Sequence, residues 1–336
     1  MTEGNRPVVR LLGTGGTISS IGQGPMDFTE YSSTEERISV VDHLARLPEI
    51  DDFPVVEAEQ ILEVGSNRIG PAEWLMIADR INSIYRDDQN IAGVAITHGT
   101  STLEETAYFL NLTVKSDRPV VITGAMRPPS ALSSDADINL VDCIRVAASP
   151  HSRGMGVLTV LNNEIQAARD VTKQNTFRVD TFGGGPLGLL GYADSDHRVV
   201  MLRAPLRKHT FQTEFDVDGL DRLPRVDIVY SYAGGDGEMV RAAVNAGAEG
   251  IVSAGSGAGG GGPEYGEALE EASKSGIAVV HASHVGSGRV VLTARRREQG
   301  FLVSDDLSPK KSRILLMLAL TKTGDTERIQ EMFYTY

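Results

Sequence analysis

Cysteine is almost absent from this 336-residue chain, which contains only Cys143. A single thiol excludes an internal disulfide and a metal site built from several thiolates. No apolar run approaches the ~20 residues that a membrane-spanning helix needs. The segment 1–7 also lacks the charged-then-apolar pattern of a secretory leader. We therefore expect a cytoplasmic protein with no membrane partner.

Basic residues are fewer than acidic ones, with 32 Lys and Arg against 45 Asp and Glu, which gives the chain a net charge of −13. Nucleic-acid binding requires clustered positive charge, and the one notable basic run is Arg295, Arg296 and Arg297. The seven histidines are scattered without the spacing of metal ligands. We predict no nucleic-acid partner, no metal and no cofactor.

Apolar runs alternate with helical patterns along most of the chain. Strands are predicted at 8–12, 94–97, 120–123, 157–161, 226–230, 251–254 and 277–281, and helices at 73–85, 103–114, 238–246 and 265–274. A last helix is expected to begin after Ser308, with Pro309 in its first turn, and to end just before Gly324. Such alternation indicates α/β architecture, with mainly parallel sheets flanked by helices.

A polar, aperiodic stretch interrupts this alternation at 195–224. We therefore predict two α/β domains, for which the chain is long enough. The larger N-terminal domain covers 1–200, a linker covers 201–223, and the smaller C-terminal domain covers 224–336.

The first candidate motif is the glycine-rich segment 13–18, which directly follows an apolar strand. It differs from a dinucleotide-binding loop because Ile18 replaces the last glycine and no acidic residue closes a second strand ~20 residues later. It could be an ordinary strand-to-helix turn. However, the segment places Thr17 at the edge of the sheet where ligands bind in open α/β folds. A threonine is a nucleophile only where a neighbouring group takes its proton.

A second motif, 98–106, follows another predicted strand. Ser101 with Glu104, and Thr102 with Glu105, form capping-box patterns that predict the start of a helix. Helix capping does not account for Thr100, which lies one residue upstream of Ser101 at the carboxyl edge of the predicted sheet.

The third motif contains Lys173, which directly follows Thr172. An isolated lysine is usually a solvated surface charge. A lysine desolvated beside a hydroxyl can instead lose its proton and act as a base. A Thr–Lys pair is therefore a sensible activator of a nucleophile.

Taken together, these motifs resemble the bacterial-type L-asparaginase and glutaminase-asparaginase family across nearly the whole chain. The matching segments are 12–18, 96–100, 103–110, 123–128, 169–173 and 307–333. The resemblance implies a two-domain asparaginase-like α/β fold, a small-molecule amide substrate and no cofactor. It also implies a homotetramer assembled as a dimer of dimers, with the site at a subunit interface.

The resemblance also assigns site residues. The implied catalytic residues are Thr17, Tyr31, Thr100 and Lys173, and the implied substrate-binding residues are Gly16, Ser66, Asn67, Gly99, Ser101 and Ala125. Thr17 matches the threonine that forms the acyl intermediate in this family. Thr100 and Lys173 match a second catalytic pair of the family, a threonine and a lysine from separate segments. Ser66 matches the serine that holds the substrate α-carboxylate.

Three departures affect the groups that bind the substrate ammonium in this family. Ser101 stands where the family has an aspartate, Ala258 stands where it has an asparagine, and the segment 283–293 contains no acid, with Glu298 coming too late. Losing one charged contact in a desolvated site costs about 1.5–3 kcal/mol. We therefore predict an amidohydrolase acting on a small amide other than L-asparagine, one without a free α-ammonium group.

Other interpretations remain open. The acids Glu63, Glu264 or Asp236 could replace the lost groups, which would leave an ordinary L-asparaginase. Arg68, Arg289 and His284 are additions that could receive an extra carboxylate, although each is expected to be solvated. The amidase subunit of a tRNA-dependent amidotransferase is disfavoured, since that class carries an extra N-terminal domain. A non-catalytic small-ligand sensor is disfavoured by the intact threonines and lysine.

Overall fold

The computed structural model describes residues 6–34, 36–48, 50 and 54–336. The first five residues, on which the leader prediction partly depends, lie outside this range. The chain divides into two compact units, the first ending at Asp218 and the second running from Gly219 to Tyr336. Within the described ranges, no helix has the length and apolar content that crossing a bilayer requires.

The first unit is built on an eight-stranded sheet. Its strands are β1 (Val8–Gly13), β2 (Val55–Gln60), β3 (Ile91–Thr97), β4 (Val120–Thr123), β5 (Val157–Leu161), β6 (Glu164–Ala167), β9 (Gly191–Ala193) and β10 (Val199–Met201). Two further strands, β7 (Thr172–Lys173) and β8 (Phe182–Gly183), pair with each other. The order across the main sheet is β10-β9-β6-β5-β4-β3-β1-β2.

The sheet changes from parallel to antiparallel at a tight hairpin. Strands β2, β1, β3, β4 and β5 pair in parallel, whereas β6, β9 and β10 extend the sheet antiparallel. Asn162 and Asn163 connect β5 to β6 with φ values of +53° and +62°. Positive φ at both central residues is the geometry of a two-residue hairpin turn, which asparagine tolerates well.

Among the residues that the structure describes, four helices cover this sheet: α1 (Val40–Ala45), α2 (Pro71–Asp87), α3 (Leu103–Thr113) and α4 (Ala136–Ala148). Pro71 begins α2, where its missing N–H costs nothing, and the Glu73 carboxylate accepts the Gly70 N–H at 2.9 Å. The core strands are apolar on both faces, as Val94, Ala95 and Ile96 show by being fully buried. This is expected where a parallel sheet is covered on both sides.

The second unit has a four-stranded parallel sheet, ordered β11 (Val226–Tyr230), β12 (Gly250–Gly255), β13 (Ala278–Ser283) and β14 (Leu302–Val303). Its helices are α5 (Glu238–Asn245), α6 (Pro263–Lys274), α7 (Ala294–Glu298), α8 (Pro309–Leu320) and α9 (Thr326–Thr335). The predicted fold class, two α/β domains with helices flanking mainly parallel sheets, is confirmed.

The C-terminal end differs in one respect from the sequence expectation. Ser308 caps α8 as predicted, by accepting the Lys311 N–H. However, α8 ends at Leu320, and Gly324 lies in the connection to α9. The chain forms a second helix after this connection because Asp325 is an N-cap residue. Its side chain accepts two backbone N–H groups of the first turn of α9.

Candidate active site

The neighbouring strands β1 and β3 end side by side, with Gly13 opposite Thr97. Just beyond them, the Thr14 backbone N–H and hydroxyl both donate to the Thr97 carbonyl oxygen, at 3.1 and 2.7 Å. These bonds hold the two following loops together. The loops that carry Thr17 and Thr100 therefore leave the sheet at the same carboxyl edge, where ligands bind in open α/β sheets.

Gly16 and Gly99 lie where these two loops pack directly against each other. A Cβ atom on Gly16 would lie 2.2 Å from the Gly99 Cα, and the Gly16 φ of +89° is one that side chains rarely adopt. A Cβ atom on Gly99 would lie 2.8 Å from the Ser66 Cβ. Three loops are thus packed so closely that only glycine fits at the two central positions. The structure brings together three of the predicted binding residues.

Thr17 begins a single 3₁₀ turn, Thr17–Ser19. The turn is fixed because the hydroxyls of Ser19 and Ser20 both donate to the Gly16 carbonyl oxygen, each at 3.0 Å. The Thr17 Oγ1 lies 3.0 Å from the Tyr31 hydroxyl oxygen, and either group can donate. A phenol within hydrogen-bond reach of a hydroxyl can receive or relay its proton.

The second predicted pair is also in contact. The Lys173 Nζ, on β7, donates to the Thr100 Oγ1 at 2.8 Å. Thr100 is buried and Lys173 is half-buried. A lysine that has lost its proton in this position could accept the hydroxyl proton of Thr100, which is the arrangement that an activated threonine needs.

The remaining predicted binding residues differ in exposure, since Ser66 and Ala125 are buried whereas Asn67 and Ser101 are exposed. Thr102 is the N-cap residue of α3, so the helix starts where the sequence predicts, but no side chain caps it. The Thr102 hydroxyl instead donates to the Ser66 carbonyl oxygen at 2.7 Å. The predicted capping boxes are therefore wrong. Within the described residues, the Ser101 side chain makes no hydrogen bond.

Sequence reasoning missed a buried network behind the Thr100 loop. The His98 Nδ1 lies 2.8 Å from the Gly99 carbonyl oxygen, which can only accept, so Nδ1 carries the hydrogen. The His98 Nε2 then accepts from the Thr106 hydroxyl at 3.0 Å, and this hydroxyl accepts from the Trp74 indole N–H at 3.0 Å. Burial lowers the pKa of His98 to about 4, so the ring is neutral at pH 7. These contacts join residues from separate elements, so no local sequence pattern predicts the network.

In the second unit, the glycine-rich segment after β12 folds into a tight loop. The backbone groups of Ser256 and Gly260 bond each other in both directions, at 2.8 and 2.7 Å. The Arg296 guanidinium donates to the carbonyl oxygens of Ala258 and Gly259, at 2.9 and 3.1 Å. The loop is therefore fixed within its own unit, with the methyl group of alanine where the family has a side-chain amide.

The three additional basic residues are placed differently from one another. Arg289 forms an ion pair with Asp305, and the His284 ring stacks on Tyr230 with 4.6 Å between ring centroids. Side chains exposed to solvent include Arg68 and the three acids Glu63, Glu264 and Asp236. In the part of the chain that the structure describes, no group of three or more His, Cys, Asp or Glu could hold a metal ion.

Comparison with known proteins agrees with these observations. The family model described as "Asparaginase, N-terminal" matches residues 8–206, and the "Glutaminase/Asparaginase C-terminal domain" model matches residues 225–333. Among curated proteins, "L-asparaginase 2" of Bacillus subtilis is 44% identical over 98% of this chain and 87% of its own length. "L-asparaginase 2" of Escherichia coli is 42% identical over 98% of this chain and 93% of its own length. "Glutaminase-asparaginase" of Pseudomonas fluorescens is 38% identical over 98% and 90%.

A solved structure is equally similar. The probable cytoplasmic L-asparaginase from Campylobacter jejuni superposes with a TM-score of 0.91 and 39% identity, covering 98% of this chain and all of that one. The resemblance stated from the sequence motifs is thereby confirmed. The chain belongs to the asparaginase family of amidohydrolases.

Proposed function

We propose that the chain cleaves a small amide through a covalent acyl intermediate on Thr17. The observation that carries this proposal is the 3.0 Å separation of the Thr17 Oγ1 and the Tyr31 hydroxyl. It is supported by the close packing of Gly16, which leaves the Thr17 loop little freedom. The second pair, Lys173 and Thr100, supplies a further proton acceptor at the same sheet edge.

In the first step, the Thr17 Oγ1 attacks the amide carbonyl carbon. Its proton leaves through Tyr31 or through the Thr100–Lys173 pair. Backbone N–H groups near Thr100 stabilise the oxyanion that forms. The C–N bond then breaks, ammonia or an amine leaves with a proton, and the acyl group remains as an ester on Thr17.

In the second step, Thr100 and Lys173 activate a water molecule, which attacks the ester carbonyl carbon. The water loses a proton to this pair, the ester C–O bond breaks, and Thr17 regains its proton. The products are a carboxylic acid and the free enzyme. This assignment gives each of the two hydroxyl pairs one half of the reaction.

For the substrate, we propose an amide that bears a carboxylate and no α-ammonium group. Ser66 and Asn67 bind the carboxylate, and Gly16, Gly99, Ser101 and Ala125 complete the walls of the site. Ser101 offers a neutral hydroxyl in place of the family's carboxylate, so the proposed site has no negative charge at this position to pair with an ammonium group. An unpaired ammonium in such a site is costly.

A matched pair of substrates tests the proposal. Succinamic acid is L-asparagine without the α-ammonium group, so ammonia release from the two compounds isolates the effect of that group. We expect a higher kcat/KM for succinamic acid. Ser101→Asp restores a negative charge and is expected to shift the preference roughly ten- to a hundredfold towards L-asparagine. Ser101→Asn, which is similar in size and neutral, is the control and is expected to leave the preference unchanged.

The two parts of the proposal fail separately. Faster turnover of L-asparagine by the wild type, with no effect of Ser101→Asp, would refute the altered substrate. Retention of hydrolysis by Thr17→Ala and Thr17→Val would refute the nucleophile. Loss of both hydrolytic activities with unchanged ligand affinity in Thr17→Ala supports the full mechanism.

The second candidate is hydrolysis of L-asparagine to L-aspartate and ammonia. The names of the relatives favour it, since two chains more than 40% identical to this one are called L-asparaginase 2. The same assay decides between the two substrates.

We also propose that the chain assembles as a homotetramer, a dimer of dimers, in the cytoplasm. Membership of the family supports an oligomer. Sedimentation velocity of the purified chain measures the assembly, and a monomer at micromolar concentration would contradict it. The linker at 201–223 and the absence of a nucleic-acid partner remain predictions.

A further inference from the structure

The loop that carries Tyr31 has no core of its own. None of the residues from 21 to 34 is buried, and Met26 is 71% exposed. Without apolar burial, the position of such a loop depends on its hydrogen bonds, and segments of this kind open locally at low free-energy cost. The contacts that hold the loop therefore determine how often Tyr31 reaches Thr17.

Asp27 organises the loop internally. Its carboxylate accepts the backbone N–H groups of Gln23, Thr29 and Glu30, at 3.1, 3.2 and 2.8 Å. The Thr34 hydroxyl lies 2.7 Å from the Ile21 carbonyl oxygen and 2.9 Å from the Tyr31 carbonyl oxygen, and it can donate to either. These bonds give the loop a defined shape, but they do not attach it to the rest of the unit.

The connection between β4 and α4 attaches the loop to the rest of the unit. The Gly22 N–H donates to the Ser130 Oγ at 2.8 Å, and the Leu132 N–H donates to the Pro25 carbonyl oxygen at 2.7 Å. The Arg127 guanidinium lies over the Phe28 ring at 5.6 Å. We refer to the segments 22–28 and 127–132 together as the clasp.

The inner half of the clasp is itself fixed. The buried Asp135 carboxylate accepts the backbone N–H groups of Met126 and Arg127, with distances between 2.9 and 3.1 Å. The Asn139 side-chain amide donates to Asp135 at 3.0 Å and to the Gly124 carbonyl oxygen at 2.9 Å. The segment 127–132 is thus tied to the end of β4, which makes it a firm support for the loop.

We infer that Ser130 is a positioning residue for Tyr31, holding the loop so that the phenol stays on the Thr17 hydroxyl. This inference rests on the proposed function, in which Tyr31 receives or relays the Thr17 proton. Ser130 is the member of the clasp to test because its side chain makes the hydrogen bond. The Leu132 contact involves backbone atoms only, and the Arg127 contact is long.

Ser130→Ala removes the acceptor of the Gly22 N–H. We expect kcat/KM to fall about fivefold, the equilibrium factor of one net hydrogen bond, for whichever of succinamic acid and L-asparagine the wild type hydrolyses faster. Ser130→Thr keeps a hydroxyl and is expected to restore activity. Ser83→Ala is the matched control, because Ser83 also accepts one hydrogen bond, from Arg86 on the solvent-facing side of α2, far along the chain from the loop. It is expected to leave kcat/KM unchanged.

A double-mutant cycle shows whether Ser130 acts through Tyr31. In a Tyr31→Phe background, Ser130→Ala is expected to have no further effect on kcat/KM. An equal fivefold loss in that background would overturn the inference, because the effect would then reach activity by another route.

Hydrogen exchange separates this inference from the proposed function. Amide exchange of residues 22–34 is expected to quicken about fivefold in Ser130→Ala and to stay unchanged in Ser83→Ala. Unchanged amide exchange in Ser130→Ala would overturn the inference that the clasp holds the loop, while leaving the proposed function intact. Wild-type activity in Tyr31→Phe would instead refute the role of Tyr31 in the proposed function, and with it the catalytic role of Ser130.

Discussion

Acidification from pH 7 to pH 5 is expected to destabilise the first unit through His98. Burial lowers the pKa of this side chain from 6.5 to about 4. Between these two values the unfolded chain binds a proton that the folded chain does not, so the free energy of unfolding decreases as the pH falls. Each pKa unit corresponds to about 1.4 kcal/mol. At pH 5 the loss from His98 is therefore about 2 kcal/mol, and it is complete below pH 4 at about 3.5 kcal/mol.

The measurement is the free energy of unfolding in urea at pH 5, 6 and 7 for the wild type and His98→Asn. The asparagine amide can donate to the Gly99 carbonyl oxygen as the His98 Nδ1 does, but it does not titrate. We expect the wild type to lose about 2 kcal/mol more than His98→Asn between pH 7 and pH 5. The control variant is His151→Asn, because His151 is exposed. Its free energy of unfolding is expected to depend on pH as that of the wild type does. Equal pH dependence in His98→Asn and the wild type would refute the reasoning.

Three further predictions follow from packing. Gly16→Ala places a Cβ atom 2.2 Å from the Gly99 Cα; a displacement of about 1 Å at a reacting group costs about a hundredfold, so ammonia release is expected to fall at least that far. Burial raises the pKa of the Cys143 thiol to about 12, so a disulfide reagent at pH 8 is expected to label one thiol per chain in guanidinium and none in the native protein. Asp142→Ala removes the carboxylate that lies 2.8 Å from the buried Arg145 guanidinium and leaves this cation with backbone carbonyl acceptors. Chemical denaturation is expected to show a loss of about 3–5 kcal/mol in the free energy of unfolding; a loss below 1 kcal/mol would contradict a buried ion pair.

Strand positions were predictable where the apolar pattern is local. The apolar runs that begin at Val8, Val120 and Val157 predict strands, and all three are strands of the first sheet with a neighbour on each side. The antiparallel strands were missed because they are short, and their pairing depends on turns rather than on hydrophobic periodicity. The β5–β6 hairpin, for example, is set by two asparagines at positive φ.

The site shows the same division between local and long-range information. The Thr–Gly–Gly–Thr turn at Thr17 and the Thr172–Lys173 segment are local motifs, and the structure places Thr17 beside the Tyr31 hydroxyl and Lys173 beside the Thr100 hydroxyl. Ser130 carries no signal in the sequence, since its hydrogen bond is to Gly22, 108 residues away. Thr102 carries a misleading signal, because its hydroxyl has two possible partners and only packing decides that it binds Ser66.

This division explains why family membership says more about the reaction than about the substrate. Thr17 and Thr100 sit on loops whose backbones meet at Gly16 and Gly99, where no side chain fits, so a change there disturbs both hydroxyl pairs at once. Ser101, by contrast, is exposed and makes no hydrogen bond through its side chain within the described residues. In the proposed site, exchange of its side chain would therefore alter the charge presented to a ligand without disturbing the loops. This difference in packing is the physical basis of our proposal that the same reaction acts on a different amide.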